Sequence, residues 1–254
     1  MKRILFISAA LAASSPALAH FGLLLPDQAV VADSGKATVN FTAAFLHPME
    51  QTGMTLAKPE VKVYVEGKAT DLSSTLKKTQ VLGKDAWSFS YRMKKPAVAQ
   101  FVMTPKPYWE PAEDKFIIHY TKVYVPSFGE EEGFEEPLGI KTEIVPLTRP
   151  FGNYAGNIFS GKVLVDGKPV AGAPVEVEYW NAKKAYEAPT DYHVTQVVLT
   201  DDAGVFHFVA PFAGWWGFAA LTDGPSKLKH QGKDKDVELG AVLWTEFAEP
   251  VKTR

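Results

Sequence analysis

Pro174–Trp180 (PVEVEYW) alternates apolar side chains with glutamates at a period of two. This is the pattern of a β-strand that covers a core with one face. Upstream, Lys162–Val165 (KVLV) runs into Asp166-Gly167, a residue pair that tolerates the positive φ of tight hairpin turns. Short runs rich in Val, Ile, Thr, Phe and Tyr recur between Gly, Pro and Asp, without a persuasive helical period. The sequence therefore predicts an all-β protein.

The predicted strands fall into two sets, separated by an acidic segment and an extended connector. Glu130–Glu136 is typical of a solvated loop, and Thr142–Pro150 of the connector. The strands are expected at Ala37–Leu46, Glu60–Val65, Trp87–Met93, Gln100–Thr104, Phe116–Val125, Lys162–Val165, Pro174–Trp180, Val194–Leu199, Val205–Val209, Trp215–Leu221 and Val237–Phe247. Their spacing predicts two immunoglobulin-like β-sandwich domains in tandem, residues 20–145 and 146–254. A single elongated sandwich is the structural alternative.

The first nineteen residues have the features of a secretory signal peptide. Lys2 and Arg3 precede the apolar run Ile4–Ala13, and Ala17-Leu18-Ala19 supplies the small residues required for cleavage. We expect residues 1–19 to be removed, the mature chain to begin at His20, and the product to be periplasmic. The apolar run is too short to span a bilayer and no later segment is long and uncharged enough, so membrane insertion is not expected.

The composition limits the partners and the ligand chemistry. The chain of 254 residues has a formal net charge of −2, without a basic patch for nucleic acid. It contains no cysteine, so any metal site must use nitrogen, oxygen or thioether donors. Imidazole and amine donors suit Ni(II), Co(II), Cu(II) or Zn(II).

His20 is the most informative candidate ligand. Cleavage gives it two donors, the α-amino nitrogen and imidazole Nδ1, which close a six-membered chelate ring on one metal ion. Both groups have ordinary pKa values near neutrality, so a metal ion can displace their protons. The alternative is a histidine left by chance on a frayed terminus.

Two further histidines are candidate imidazole donors. His47 ends a predicted strand, because Pro48 cannot donate to the hydrogen bonds between strands. Glu50 follows in the same turn. His119 interrupts the apolar strand Phe116–Val125, and an interior imidazole needs a hydrogen-bond partner or a metal. The alternative for His47 is a half-exposed loop residue without a ligand. The alternative for His119 is a structural residue of the core.

Motifs for other chemistry are missing from the sequence. There is no HExxH zinc motif, no GxSxG elbow, no phosphate-binding glycine loop and no dinucleotide fingerprint. The acidic run Glu130–Glu136 is interpreted as a solvent-exposed loop. The alternatives are that it attracts cations or docks a partner protein. We therefore expect a binding protein rather than an enzyme.

Several motifs together resemble the NikK-like periplasmic nickel/cobalt-uptake accessory proteins, extra components of energy-coupling-factor transporters. The resemblance covers nearly the whole mature chain. The similar segments are His20–Gly22, Leu46–Glu50, Pro107–Asp114, Phe116–Val123, Glu143–Pro150, Gly167–Pro169, Val175–Tyr179, Gly214–Leu221 and Glu238–Trp244. The resemblance implies binding of Ni(II) or Co(II) as cargo and its transfer to an inner-membrane transporter.

The ligand assignment rests on chemistry and on positions inside the matching motifs. His20, His47 and His119 are the expected metal ligands, and Glu50, Tyr108 and Glu110 are possible supporting or alternative ligands. Two other functions stay open at this point. One is a copper protein with a histidine brace, as a chaperone or a monooxygenase-like enzyme, and the other is an adhesion-like sandwich that binds no metal.

Overall fold

The structure, a computed structural model, describes residues 20–253; the predicted signal peptide, residues 1–19, lies outside this range. Strands dominate the described chain. The first half contains β1 (Phe21–Pro26), β2 (Thr38–His47), β3 (Thr52–Met54), β4 (Glu60–Val65), β5 (Lys68–Asp71), β6 (Lys77–Val81), β7 (Lys84–Arg92), β8 (Ala97–Thr104), β9 (Tyr108–Glu110) and β10 (Lys115–Ser127). The second half contains β11 (Thr142–Pro146), β12 (Asn153–Tyr154), β13 (Ile158–Val165), β14 (Lys168–Pro169), β15 (Pro174–Tyr179), β16 (Gln196–Leu199), β17 (Val205–Val209), β18 (Gly214–Asp223), β19 (Leu228–His230), β20 (Lys233–Lys235) and β21 (Val237–Ala248).

Helical structure within residues 20–253 is confined to three single turns of 3-10 helix, at Ser34–Lys36, Ser73–Thr75 and Asp191–His193. The predicted all-β class is therefore confirmed. None of these helices is long or apolar enough to cross a membrane.

A long central sheet has the strand order β16-β15-β18-β21-β10-β8-β4-β5, with β12 beside β21 and β9 beside β10. A front sheet has the order β1-β2-β7-β6, with β3 beside β2. A back sheet has the order β11-β13-β14, with β17 beside β13, and β19 and β20 form a separate hairpin. The strands of both halves of the chain thus meet in one sheet.

The two halves join where β10 lies parallel to β21, from the pair Phe116 and Val237 to the pair Val123 and Trp244. Strand β11 pairs along its whole length with β13, so the boundary predicted between residues 145 and 146 falls inside a strand of the back sheet. The division into two tandem domains stays a prediction.

Each face of β21 covers a different hydrophobic core, because successive side chains of a strand point in opposite directions. Val242 and Trp244 belong to the core that also contains the apolar residues of β1, β2 and β7. Ala241, Leu243 and Phe247 belong to the core that contains residues of β13, β15 and β17. The central sheet therefore forms one sandwich with the front sheet and a second with the back sheet.

Strand β1 is buried on both faces along its whole length. The indole Nε1 of Trp244 donates a hydrogen bond of 2.7 Å to the carbonyl oxygen of Gly22. A Cβ atom at Gly22 would overlap Oγ1 of Thr121 in β10, so only glycine allows this close approach. These contacts hold the residue before β1, His20, against the central sheet.

A buried ion pair connects β10 with β11. Lys122 and Glu143 are 0% and 1% exposed, and Nζ lies 2.8 Å from Oε2. The Glu143 carboxylate also accepts hydrogen bonds from the backbone N–H groups of Leu138 and Gly139. Burial lowers the pKa of Lys122, while Glu143 opposes that change. The pair therefore anchors the end of the acidic segment to the sheet.

We expect the substitution Glu143→Gln to lower the free energy of unfolding by about 3–5 kcal/mol, because it leaves the Lys122 ammonium buried without a counter-charge. Urea denaturation monitored by circular dichroism measures this change. The double variant Lys122→Met/Glu143→Gln, which removes the buried charge and keeps an acceptor for the N–H groups of Leu138 and Gly139, should recover most of the loss. A double variant no more stable than Glu143→Gln would contradict the assigned cause.

Candidate metal site

The pairing of β1 with β2 brings His20 and His47 together. The register places Phe21 opposite Leu46, so the next pair along this ladder is His20 and His47. Their ring centroids lie 4.7 Å apart at an interplanar angle of 51°, and His47 is 6% exposed. Two predicted ligands are thus in contact at one end of the front sheet.

Glu110 holds the ring of His20 from the opposite side. Oε2 of Glu110 lies 2.9 Å from Nε2 of His20, and the two side chains are 12% and 10% exposed. Burial and His47 lower the pKa of His20, although Glu110 raises it in part. A neutral imidazole that donates Nε2–H to the carboxylate has its lone pair on Nδ1. This is the nitrogen that could chelate a metal together with the α-amine that cleavage after Ala19 would create on the same residue.

His119 is buried in β10 without a hydrogen-bond partner. It is 1% exposed, and neither ring nitrogen has a partner among the described residues. Burial, with the nearby His20 and Lys115, lowers its pKa to about 3, so the ring is neutral at pH 7. A Cβ atom at Gly240 would overlap this ring. The adjacent glycine of β21 therefore makes room for the imidazole.

Phe45 contacts both His20 and His119. Its ring centroid lies 5.6 Å from that of His20 and 5.7 Å from that of His119. Tyr108 lies 5.0 Å from Phe45 and 6.3 Å from His20, and burial and Glu110 raise its pKa. His119 is thus connected to His20 through the Phe45 ring. Within residues 20–253, no three His, Asp or Glu side chains already converge as ligands for one metal ion.

The other predicted acidic residue, Glu50, lies in a different environment. It is exposed in the turn after β2 and lines a cavity with Asn181 and Tyr186. A carboxylate that sequence reasoning did not assign, Glu113, raises the pKa of His20 and pairs with Lys115 at 2.6 Å. Its only sequence signal was its place in the similar segment Pro107–Asp114, just before β10.

Residues of the second half fasten the turn that follows His47. The backbone N–H of Met49 donates to Oε2 of Glu178 at 3.1 Å, and Nδ2 of Asn181 donates to the carbonyl oxygen of Met49 at 3.2 Å. Thr195 donates to the other oxygen of Glu178 at 2.5 Å. Glu178 is 1% exposed, and burial raises its pKa to about 8. The second half therefore takes part in positioning His47.

We expect stability to fall as the pH rises from 5 to 8, in part through Glu178. Its folded pKa of about 8 lies above the ordinary value, so the stability that it contributes is complete below the unfolded pKa and is lost as the pH rises through the folded pKa. The variant Glu178→Gln should lack this contribution, about 3 kcal/mol between pH 5 and 8. Urea titrations at several pH values measure the difference.

Glu249→Gln, at an exposed position, is the control and should follow the wild-type pH profile. A Glu178→Gln profile parallel to that of the wild type would show that Glu178 titrates in the ordinary range.

No curated protein sequence matches this chain. The similar solved structures include the D0-D1 domain of intimin (12% identity, 90% of this chain and 99% of that chain, TM-score 0.24). They also include trypsin-activated alpha-2-macroglobulin from Escherichia coli (8%, 91% and 16%, TM-score 0.27) and BcpA, the major pilin subunit of Bacillus cereus (11%, 91% and 66%, TM-score 0.22). Similarity at this level carries no argument about function.

One family model matches most of the chain, over residues 17–224. The match begins just before His20 and covers the front sheet, the ligand candidates and the strands up to β18. The description of this family names no metal, so the resemblance to nickel/cobalt-uptake proteins stays a prediction. By this match, the chain belongs to the family described as domain of unknown function DUF4198.

Proposed function

We propose that this protein is a periplasmic binding protein for a transition-metal ion, with the mature N-terminal His20 as the principal chelator. Nickel or cobalt is the proposed cargo, and Cu(II) and Zn(II) suit the same nitrogen donors. The metal is passed to an inner-membrane transporter, and no reaction is catalysed. The observation that carries the proposal is the Nε2 contact of His20 with Glu110, which leaves Nδ1 available.

The donors come from the backbone as well as from side chains. Removal of residues 1–19 would convert the backbone nitrogen of His20 into an amine beside Nδ1. His47, in ring contact with His20, supplies a second imidazole. Glu110 fixes the tautomer and the orientation of His20, which is the usual role of a carboxylate behind a metal-binding histidine. These three donors, the amine and the two imidazoles, come from only two residues, His20 and His47.

His119 supplies the third imidazole in the proposed site. Burying a polar group without a partner costs about 1–3 kcal/mol, and the His119 ring has no partner for either nitrogen among the described residues. A metal ion that accepts the lone pair of the unprotonated ring nitrogen would offset part of that cost. The Phe45 ring contacts both His119 and His20, so rotation of Phe45 would open the path between these two imidazoles.

A histidine brace for copper uses the same amine and two imidazoles. The ring contact of His20 with His47 favours this donor set as much as it favours nickel binding. Cu(II) exceeds Ni(II) in affinity at most nitrogen sites, so affinity alone does not identify the cargo. The metal that remains bound after export, in protein purified without an affinity tag, identifies it.

We expect protein that begins at His20 to bind Ni(II) at least about a hundredfold more tightly than protein that retains Ala19, because the extra residue converts the amine into an amide and removes one arm of the chelate. Competition with a chromophoric chelator at pH 7.5 measures both affinities. His193→Ala, at an exposed histidine, is the control and should bind like the wild type. Equal affinities with and without Ala19 would exclude the amine as a ligand.

We expect His119→Leu to change metal binding and stability in opposite directions. The variant loses an imidazole donor, so Ni(II) affinity should fall about tenfold or more. It also removes a buried polar group without a partner, so the free energy of unfolding should stay the same or rise by about 1 kcal/mol. Chelator competition and urea denaturation measure the two effects. A large loss of stability with unchanged affinity would indicate a purely structural histidine.

A further inference from the structure

The acidic segment between β10 and β11 is anchored rather than free. Nε2 of Gln100 donates to the carbonyl oxygens of Gly133 and Glu136, at 3.2 and 3.4 Å. The ring of Phe134 packs against the core of the back sandwich. With the hydrogen bonds of Leu138 and Gly139 to Glu143, these contacts hold the C-terminal part of the segment against the central sheet.

This anchored segment forms one wall of a cavity of about 760 Å³, which is within the range of small-molecule sites. Strands β4 and β8 form another wall. Five carboxylates line the cavity: Glu66, Glu130, Glu132, Glu135 and Glu136. Three of them, Glu132, Glu135 and Glu136, are exposed and have no ion-pair partner within residues 20–253. No lysine or arginine of the described chain pairs with these three carboxylates, whereas Glu66 pairs with Lys95.

A second observation concerns the amide of Gln100, which also lines the cavity. The residue is 4% exposed. Its two donor contacts with backbone carbonyl oxygens fix the orientation of the amide, and its Oε1 has no hydrogen-bond partner among the described residues. The hydroxyl of Tyr124, opposite Gln100 in the β8–β10 ladder, also lacks one. A buried acceptor without a donor carries a desolvation cost, and an N–H or O–H group of a bound molecule would offset that cost.

We propose that this cavity binds a small organic polycation of the di- or polyamine class, with one ammonium group donating to Oε1 of Gln100 and the others lying against the carboxylates. The cavity offers acceptors and negative charge, which an alkylammonium ion complements with several N–H donors. The volume suits an extended molecule with separated charges better than a single metal ion, which needs oxygens gathered at 2.0–2.6 Å. This site is independent of the proposed metal site.

Isothermal titration of the purified chain with spermidine, in chelator-treated buffer at low and at physiological salt, tests the proposal. We expect saturable binding that weakens with salt, and a much weaker response to propylamine, which has one charge. The variant Glu132→Gln/Glu135→Gln should bind spermidine about fivefold less tightly or worse at low salt. Gln100→Met, which keeps the side-chain length and removes the acceptor, should also bind less tightly, with its fold checked by circular dichroism.

The matched control is Asp202→Asn/Glu249→Gln, which removes the same number of charges at exposed positions outside the residues that line this cavity. It should bind spermidine like the wild type. Equal losses in the control and in Glu132→Gln/Glu135→Gln would show general charge attraction and overturn the proposal. No saturable binding of spermidine, or saturable binding of a lysine-rich peptide alone, would also overturn it.

Discussion

The parallel pairing of β10 with β21 is the constraint on which the rest of the fold depends. It joins strands from the two halves of the chain in one sheet, and its two faces cover two separate cores. The same ladder sets His119 beside Gly240, where only a glycine leaves space for the imidazole. A shift of this register by one residue would turn His119 out of the first core and remove its place beside Phe45.

Much of the strand content follows from local sequence, because alternation and turn residues are local signals. The long strands β2, β10, β15 and β21 lie close to their predicted positions. Strand β1 was not predicted, because Phe21–Pro26 is apolar at nearly every position and shows no period of two. Its burial on both faces explains that pattern. Likewise, Thr142–Pro146 was interpreted as a connector. It forms a strand because it pairs with β13, and that partner strand is not visible in the segment's own sequence.

The candidate site was predictable to the extent that it follows from the chemistry of single residues. The two nitrogens that cleavage after Ala19 would give His20 are a property of that residue alone, whereas its contact with His47 depends on the β1–β2 register. Glu110 was placed among the supporting carboxylates, while its bond to Nε2 required the structure. Glu178 lies 129 residues from Met49 along the chain, so no local pattern could have connected it with the turn after His47.

The hydrogen bond between Trp244 and Gly22 closes a loop of 222 residues, and this has a consequence for the order of folding. Synthesis releases β1 before β21, so β1 gains its covering strand only after the residues up to Trp244, 222 positions after Gly22, have been made. Contacts so distant in sequence form slowly, because a long loop must close before they are made. The pairing of β1 with β2, which brings His20 to His47, needs only the first half of the chain, whereas the Trp244 bond that fixes β1 against the central sheet forms later.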